Sequence, residues 1–306
     1  ALSLGSPGET PLTLASILDM EACMDHHTTH PLDDTVIQVS DAAEYVAAIK
    51  SVNRGEGSAI DVVEPFTLTA AAPNITSSVK LYSSTGASID AQGYTAVEVV
   101  GAGVSVTLNL VIEGSGYTQI FQGQLTGLDG GQVHDVMLVK NGALQVPSGQ
   151  SFTVTGQLEA VSKGVIGIGG VLNATNTLTL SNGGLIVTQS DENPCAITQN
   201  VVADQGTIIA INPDSTLTVE GLSLGDDCLI EGMGDKTKIH SASPILLEPE
   251  TPSKTARMAA VNASAVTLKP GGVYQGCGAT QGGGAGQHVR VETLLNEGGV
   301  VELGGS

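Results

Sequence analysis

A short segment near the start of the chain concentrates residues that bind metal ions. It contains Cys23, His26, His27 and His30 within eight residues, and so holds three of the six histidines of the chain. One thiolate and three imidazoles are enough donors for a tetrahedral zinc ion. The segment has no second cysteine, and two adjacent histidines do not readily point at one ion. Residues 23–30, the Cys/His segment, are therefore either a zinc site or a solvated polar linker.

A pair of carboxylates is the second candidate for chemistry. Asp226 and Asp227 stand in the segment Gly-Asp-Asp-Cys, at residues 225–228. This segment resembles the Gly-Asp-Asp-Cys segment of polygalacturonases, in which paired carboxylates hold the attacking water and protonate the leaving group of an inverting hydrolysis. The resemblance implies three further motifs: an Asn-x-Asp one coil earlier, a Gly-His-Gly one coil later and an Arg-x-Lys beyond it. Residues 200–204 and 237–241 do not match the first two motifs. Residues 290–292 are Arg-Val-Glu, which ends in an acid instead of the expected lysine. Catalysis by this pair is therefore only a minor alternative.

Two further kinds of site were tested against the sequence. A polysaccharide lyase needs an Arg or Lys to abstract a proton beside calcium-bound acids, and no such base occurs between Lys80 and Lys140 or between Lys163 and Lys236. Asp129 and Asp235 could contact calcium, although scattered acids in turns usually stay solvated. The interpretation that we favour has no cofactor, with zinc or calcium as the alternative.

A recurrent sequence pattern indicates the fold that positions these candidate site residues. Apolar residues, a glycine turn and more apolar residues recur at 136–146, 178–187, 266–274 and 291–303. The turn glycines of the four copies are 41, 88 and 27 residues apart: Gly142, Gly183, Gly271 and Gly298. The first two gaps are near multiples of about 20 to 22 residues, the period of a coiled β-solenoid; the third needs a small insertion.

The remaining pattern predicts short strands and one helix. From about residue 58 onward, apolar runs of three to five residues recur roughly every ten residues between Gly, Asn, Asp, Ser and Pro, which is typical of all-β chains. Residues 42–52 have helical spacing, with Asp41 and Glu44 spaced as a capping box. The expected apolar face of this helix contains Ala43, Val46, Ala47, Ala48 and Ile49. A β-solenoid is favoured over a β-sandwich or barrel, because the runs are short and hairpin dipeptides are scarce.

Composition narrows the choice of partners. The 306 residues have a net charge of −20 and no run of 18 apolar residues. Such acidity repels phosphate backbones and anionic membranes, and the missing apolar run argues against membrane insertion. There are no tryptophans and only five tyrosines, a poor supply for the aromatic platforms of sugar-binding modules. Neither a disulfide among Cys23, Cys195, Cys228 and Cys277 nor an oligomeric state follows from the sequence.

Residues 35–114 carry a resemblance to a known family. They read as strand, helix and glycine turn, then Ser-Ala-Ile-Asp-Val-Val from residue 58 and Leu-Asn-Leu-Val-Ile-Glu-Gly from residue 108. This order is similar to the opening of right-handed parallel β-helix domains of the pectin-lyase type, with which many adhesin-like surface proteins of gut Firmicutes begin. The Cys/His segment loosely resembles clusters in those same proteins. The resemblance implies an extracellular protein, on the cell surface or secreted.

These observations predict three regions and one leading function. We expect an irregular leader over 1–35, a capping strand and helix over 36–57, and a right-handed parallel β-helix of ten or eleven coils over 58–306, excised from a longer protein. The expected function is a non-catalytic, adhesin-like bacterial scaffold or binding surface that contacts host or extracellular glycan or protein. The alternatives are a carbohydrate-active enzyme, either hydrolase or lyase, and a carbohydrate-binding module.

Overall fold

The computed structural model describes residues 35–189, 194–234, 236–276 and 290–302. These residues form a parallel β-solenoid of about ten turns with one short helix near its start. All the strand pairs described are parallel. This contradicts the alternative of a β-sandwich, which is built from antiparallel strands. The Cys/His segment and Cys277 lie outside the described residues.

The strands, numbered in chain order, form two sheets. Sheet A contains β1 (Val36–Val39), β2 (Ala59–Val62), β4 (Val79–Tyr82), β7 (Ser105–Asn109), β10 (Gln124–Gly127), β13 (Ala143–Val146), β16 (Val165–Ile168), β19 (Leu185–Thr188), β21 (Ile208–Ile211), β23 (Leu229–Gly232), β26 (Ala256–Ala259), β28 (Gly272–Gln275) and β30 (Val300–Glu302). Sheet B contains β3 (Phe66–Thr67), β5 (Ser88–Asp90), β6 (Thr95–Val100), β8 (Val111–Glu113), β9 (Tyr117–Phe121), β11 (Gln132–Val133), β12 (Asp135–Val139), β14 (Ser151–Val154), β15 (Leu158–Ser162), β17 (Val171–Ala174), β18 (Leu178–Leu180), β20 (Cys195–Ala203), β22 (Thr216–Leu224), β24 (Lys238–Ser241), β25 (Ile245–Leu247), β27 (Asn262–Leu268) and β29 (Val291–Asn296). Sheet B consists of two adjoining ladders, because β17 pairs with the first half of β20 and β18 with its second half.

The register of sheet A gives the length of a coil. A single column of paired residues runs from Ala59 through Lys80 and Thr107 to Glu302 in eleven steps along the described strands. These steps cover 302 − 59 = 243 residues, or about 22 residues per coil. The turn glycines also fit: Gly142 and Gly183 precede β13 and β19, two steps apart in sheet A. The predicted solenoid, its coil length and its number of coils are confirmed.

The core is a stack of aliphatic side chains between the sheets. On sheet A, one buried column follows the paired residues of successive coils: Leu125, Leu144, Ile166, Ile186, Ile209 and Ile230. Side chains alternate across a strand, so a constant register brings each apolar residue onto one in the next coil. Burying one such side chain stabilises the fold by about 1.5 to 3 kcal/mol.

The single described helix, α1 (Ala42–Asn53), lies against the first coils. Asp41 accepts a hydrogen bond from the backbone of Glu44 at 2.8 Å, as the predicted N-cap does. The buried residues are Tyr45, Ala48, Ile49 and Val52. The predicted face was therefore partly wrong: Ala43 and Ala47 are exposed. The stripe at i, i+3, i+4 and i+7 begins at Tyr45, whose ring packs 5.8 Å from that of Phe66.

Candidate functional site

The predicted acid pair lies on a turn between two strands. Strand β22 ends at Leu224 and β23 begins at Leu229, so Asp226 and Asp227 lie in the connection from sheet B to sheet A. Asp227 has a left-handed backbone, with φ of 57°. A Cβ atom at Gly225 would lie 2.4 Å from Oδ1 of Asp204, so a larger residue here would push this carboxylate away from the turn. The tight turn thereby fixes both acids at the edge of the coil.

Asp226 links three successive coils. Its backbone N–H donates to Oδ1 of Asp204 at 2.9 Å, and its own carboxylate accepts from the backbone N–H of Thr251 at 3.0 Å and from the Thr251 hydroxyl. The hydroxyl hydrogen bond is the main reason that the pKa of Asp226 lies below its ordinary value. A carboxyl that protonates a leaving group needs a raised pKa. The surroundings of Asp226 act in the opposite direction and favour an anionic hydrogen-bond acceptor.

Asp227 forms an ion pair with a lysine from the next coil. Its Oδ2 lies 2.6 Å from Nζ of Lys254. The pair is exposed, and the hydrogen bond from Lys254 to Asp227 raises the pKa of the lysine. Because water screens such pairs, this contact orients the turn more than it stabilises the fold.

Other Asp and Asn side chains along the solenoid accept hydrogen bonds from the next coil, as Asp204 and Asp226 do. In each case an Asp or Asn side-chain oxygen accepts a hydrogen bond from a backbone N–H about one coil later in the chain. We call these contacts inter-coil Asx bonds; the pairs, with N···O distances of 2.5 to 3.0 Å, are Asn53–Thr76, Asp61–Ser84, Asp129–Ser151, Asp135–Gln157, Asp204–Asp226, Asp226–Thr251 and Asn262–Arg290. They satisfy backbone donors that the strand ladders leave unpaired at the turns.

The inter-coil Asx bonds include one of the two acids that the sequence suggested for calcium binding. Asp129 is one of the inter-coil acceptors, whereas Asp235 lies outside the described residues. Within the described ranges, no three His, Cys, Asp or Glu side chains lie together in a way that could hold a metal ion. Sequence reasoning missed the inter-coil role, because the donor is a backbone N–H that every residue except proline has, so the later residue leaves no signal in the sequence.

Cys195 and Cys228 are buried thiols that take part in no disulfide. Cys195 donates its thiol hydrogen to the carbonyl of Thr216 at 3.1 Å. Burial raises the pKa of the Cys228 thiol to about 12. Such a thiol is protonated at neutral pH and is a poor nucleophile or metal ligand. Both residues therefore act as small core side chains, as the sequence predicted.

The bases considered for a lyase have other contacts. Nζ of Lys140 lies 5.1 Å from the centre of the Phe121 ring, a cation–π distance. Nζ of Lys236 lies 3.4 Å from the carboxylate of Asp214. Neither of these two contacts pairs a lysine with a cluster of acids.

Two exposed tyrosines lie in successive coils near the start of the solenoid, Tyr94 in the turn before β6 and Tyr117 on β9, and we call them the tyrosine patch. Tyr94 and Tyr117 are 40% and 46% exposed, and the backbone N–H of Tyr117 donates to the carbonyl of Tyr94 at 3.3 Å. Asp135 is the register partner of Tyr117 in the next coil, and its Oδ2 lies 3.2 Å from Nδ1 of His134. Sequence analysis missed this tyrosine patch because its members are about one coil apart in the chain. An exposed tyrosine ring can contact the apolar face of a sugar, and polar groups nearby can bind the sugar hydroxyls.

Comparison with known proteins identified no relative of this chain. No protein-family model, no curated protein and no solved structure matches the chain. Within the described residues, there is no helix with the length and apolar character that a membrane crossing requires.

Proposed function

We propose that this chain is a non-catalytic β-solenoid scaffold of a bacterial cell-surface or secreted protein, with an adhesin-like surface that contacts host or extracellular glycan or protein. The observation that carries the proposal is the structural use of the turn acids. Asp204 and Asp226 connect successive coils, and Asp227 pairs with Lys254. A carboxylate that accepts two hydrogen bonds in a structural turn is unsuited to proton transfer.

The architecture supports the same proposal. Each coil packs on its neighbours through matched apolar columns, which makes a rigid rod whose length grows with the number of coils. The outer face of sheet B offers exposed polar and aromatic side chains on this rod. The net charge of −20 repels nucleic acids and anionic lipids and leaves glycans and proteins as partners.

The test is a screen for polysaccharide degradation together with a glycan array. We expect no turnover of pectin or other polysaccharides by the wild-type chain, and Asp226→Asn/Asp227→Asn should leave all results unchanged except those that depend on net charge. Glu220→Gln, an exposed acid on β22, controls for the loss of charge. Reproducible cleavage by the wild type that disappears in the double variant, and not in the control, would establish the rival function of a carbohydrate-active enzyme.

The tyrosine patch specifically favours a second candidate, a carbohydrate-binding module. A tyrosine side chain combines a large apolar ring with a polar hydroxyl, which suits it to contacts with a sugar. If the array identifies a ligand, Tyr94→Ala/Tyr117→Ala should reduce its binding at least tenfold. Val202→Ala, at a 38% exposed position of β20, should bind like the wild type. Unchanged binding by the folded double variant would exclude the patch as the contact surface.

A further inference from the structure

The tyrosine patch adjoins a longer row of outward side chains on strand β9 of sheet B. Thr118 and Ile120 are buried, so Tyr117, Gln119 and Phe121, which alternate with them, point outward. We call these three outward side chains the β9 strip. Tyr117 is 46% exposed, and Gln119 and Phe121 are partly exposed. Four residues along a parallel strand cover about 13 Å, so the two aromatic residues are that far apart along the strand.

The neighbouring coils flank the β9 strip on both sides. The register partners of Gln119 and Phe121 also point outward: Glu98 and Val100 on β6, and Met137 and Val139 on β12. At one end of the strip, Asp135 is the register partner of Tyr117. At the other end, Nζ of Lys140 lies 5.1 Å from the centre of the Phe121 ring. The surface therefore alternates between aromatic and hydrogen-bonding side chains along the direction of the strand.

Building on the second candidate function above, a carbohydrate-binding module, we propose that the β9 strip binds a linear, uncharged glycan that lies along β9. A sugar unit has an apolar C–H face and a rim of hydroxyls. Such faces can contact Tyr117 and Phe121. The amide of Gln119 between them can bind the hydroxyls, because it both donates and accepts hydrogen bonds. The glycan site thus extends from the tyrosine patch to Phe121 and takes several sugar units.

The alternation of side chains favours a glycan over a protein as the occupant. A protein interface has a contiguous apolar centre from which water is excluded, and a polar rim around it. In the β9 strip, Gln119 separates Tyr117 from Phe121. Glu98 lies beside Gln119 on β6 and continues this polar row. Burying the row beneath apolar side chains would cost free energy, whereas the hydroxyls of a glycan offer it donors and acceptors.

The charges around the β9 strip favour an uncharged glycan over an acidic one. Three acids surround the strip: Glu98, Asp135 and Glu159, the last as the register partner of Met137. They outnumber Lys140, and the whole chain has a net charge of −20. Like charges placed against each other cost affinity and slow association. A glycan with carboxylate or sulfate groups is therefore repelled, whereas an uncharged one is not.

Calorimetric titration of the full chain with uncharged gluco-, manno-, galacto- and xylo-oligosaccharides tests the proposal. For a sugar that binds, a long form of several units should bind at least tenfold more tightly than the two-unit form, because only the long form reaches both rings. Tyr117→Ala and Phe121→Ala should each remove this gain. Leu246→Ala, at a partly exposed outward position of β25, is the matched control and should keep it. The corresponding uronic acid oligosaccharide of the same length should bind at least tenfold more weakly.

Two results would contradict binding along the β9 strip and still leave a carbohydrate-binding module. One is an affinity that does not rise with glycan length, or a rise that survives Phe121→Ala in a folded chain. The other is binding of the uronic acid form that is as tight as that of the uncharged form. Binding of none of these glycans would overturn both the strip and the module, and would leave a protein as the partner of this face. If circular dichroism shows that Phe121→Ala does not fold, Phe121→Leu replaces it, because it removes the ring and keeps an apolar side chain.

Discussion

The buried hydroxyl of Tyr45 allows a quantitative test of how α1 is fastened to the solenoid. It donates to the carbonyl of Ala96 at 3.0 Å, and the side chain is 0% exposed. Ala96 lies at the bulge where the register of β6 and β9 shifts between Thr95 and Val97, so its carbonyl depends on this partner. Tyr45→Phe keeps the ring and removes only the hydroxyl. We expect a loss of about 1 to 3 kcal/mol in the free energy of unfolding at pH 7, the cost of leaving a buried acceptor unpaired.

The loss of stability caused by Tyr45→Phe should become smaller at high pH. Burial raises the pKa of Tyr45 far above its usual value of about 10. A folded-state pKa above the unfolded value means that stability is fully present below about pH 10 and is lost as the pH rises beyond it. At pH 11 the unfolded wild type gains about 1.4 kcal/mol from ionisation, which a phenylalanine cannot gain. The difference between wild type and Tyr45→Phe should therefore shrink by about that amount.

The assay is urea unfolding followed by far-UV circular dichroism at pH 7 and pH 11. A solenoid can unfold from one end, so the first transition is the one to compare. Tyr94→Phe, which removes an exposed hydroxyl, is the matched control and should be as stable as the wild type at both pH values. Equal free energies of unfolding for Tyr45→Phe and the wild type at pH 7, or the same difference at both pH values, would contradict this role of the Tyr45 hydroxyl.

Three other perturbations test the core, the thiols and the leader. Gly127→Ala should destabilise the fold by about 1 to 3 kcal/mol, because the Cβ of the new alanine would overlap the ring of Phe152. Adding Phe152→Leu should recover part of this loss, as measured by urea unfolding. Cys228 should resist iodoacetamide at pH 8 in the native state and react after unfolding, as read by mass spectrometry, because its pKa is about 12; equal rates in both states would contradict its burial. Zinc binding to the Cys/His segment, measured by calorimetry, should be weak and should fall below about pH 6.5 as the histidines become protonated. EDTA should leave the main unfolding transition unchanged; a large fall in melting temperature that zinc reverses would instead reveal a structural metal site.

The features of this protein that depend on local pattern could be predicted from the sequence. Glycines before β13, β19, β28 and β30 marked one turn of the coil, and their spacing gave the coil length. Short apolar runs between turn residues predicted the strands. Asp41 and Glu44 predicted where α1 begins, because a capping box is closed within four residues. The strand and capping signals involve neighbours in the chain, and the glycine spacing needs only the repeat of a local pattern, so none of them requires knowledge of the stack.

The partner that each side chain has one coil away could be read only from the stacked coils. The sequence placed Val165, Leu185 and Ile208 in apolar runs, but the stacking turns them away from the core. The sequence predicts that Asp226 lies in a turn. The structure shows that its carboxylate accepts a hydrogen bond from the backbone N–H of Thr251 in the next coil. The physical reason is that these contacts join residues about 22 positions apart. Their pairing depends on the register of stacked coils, and a shift of one residue would exchange the inward and outward faces.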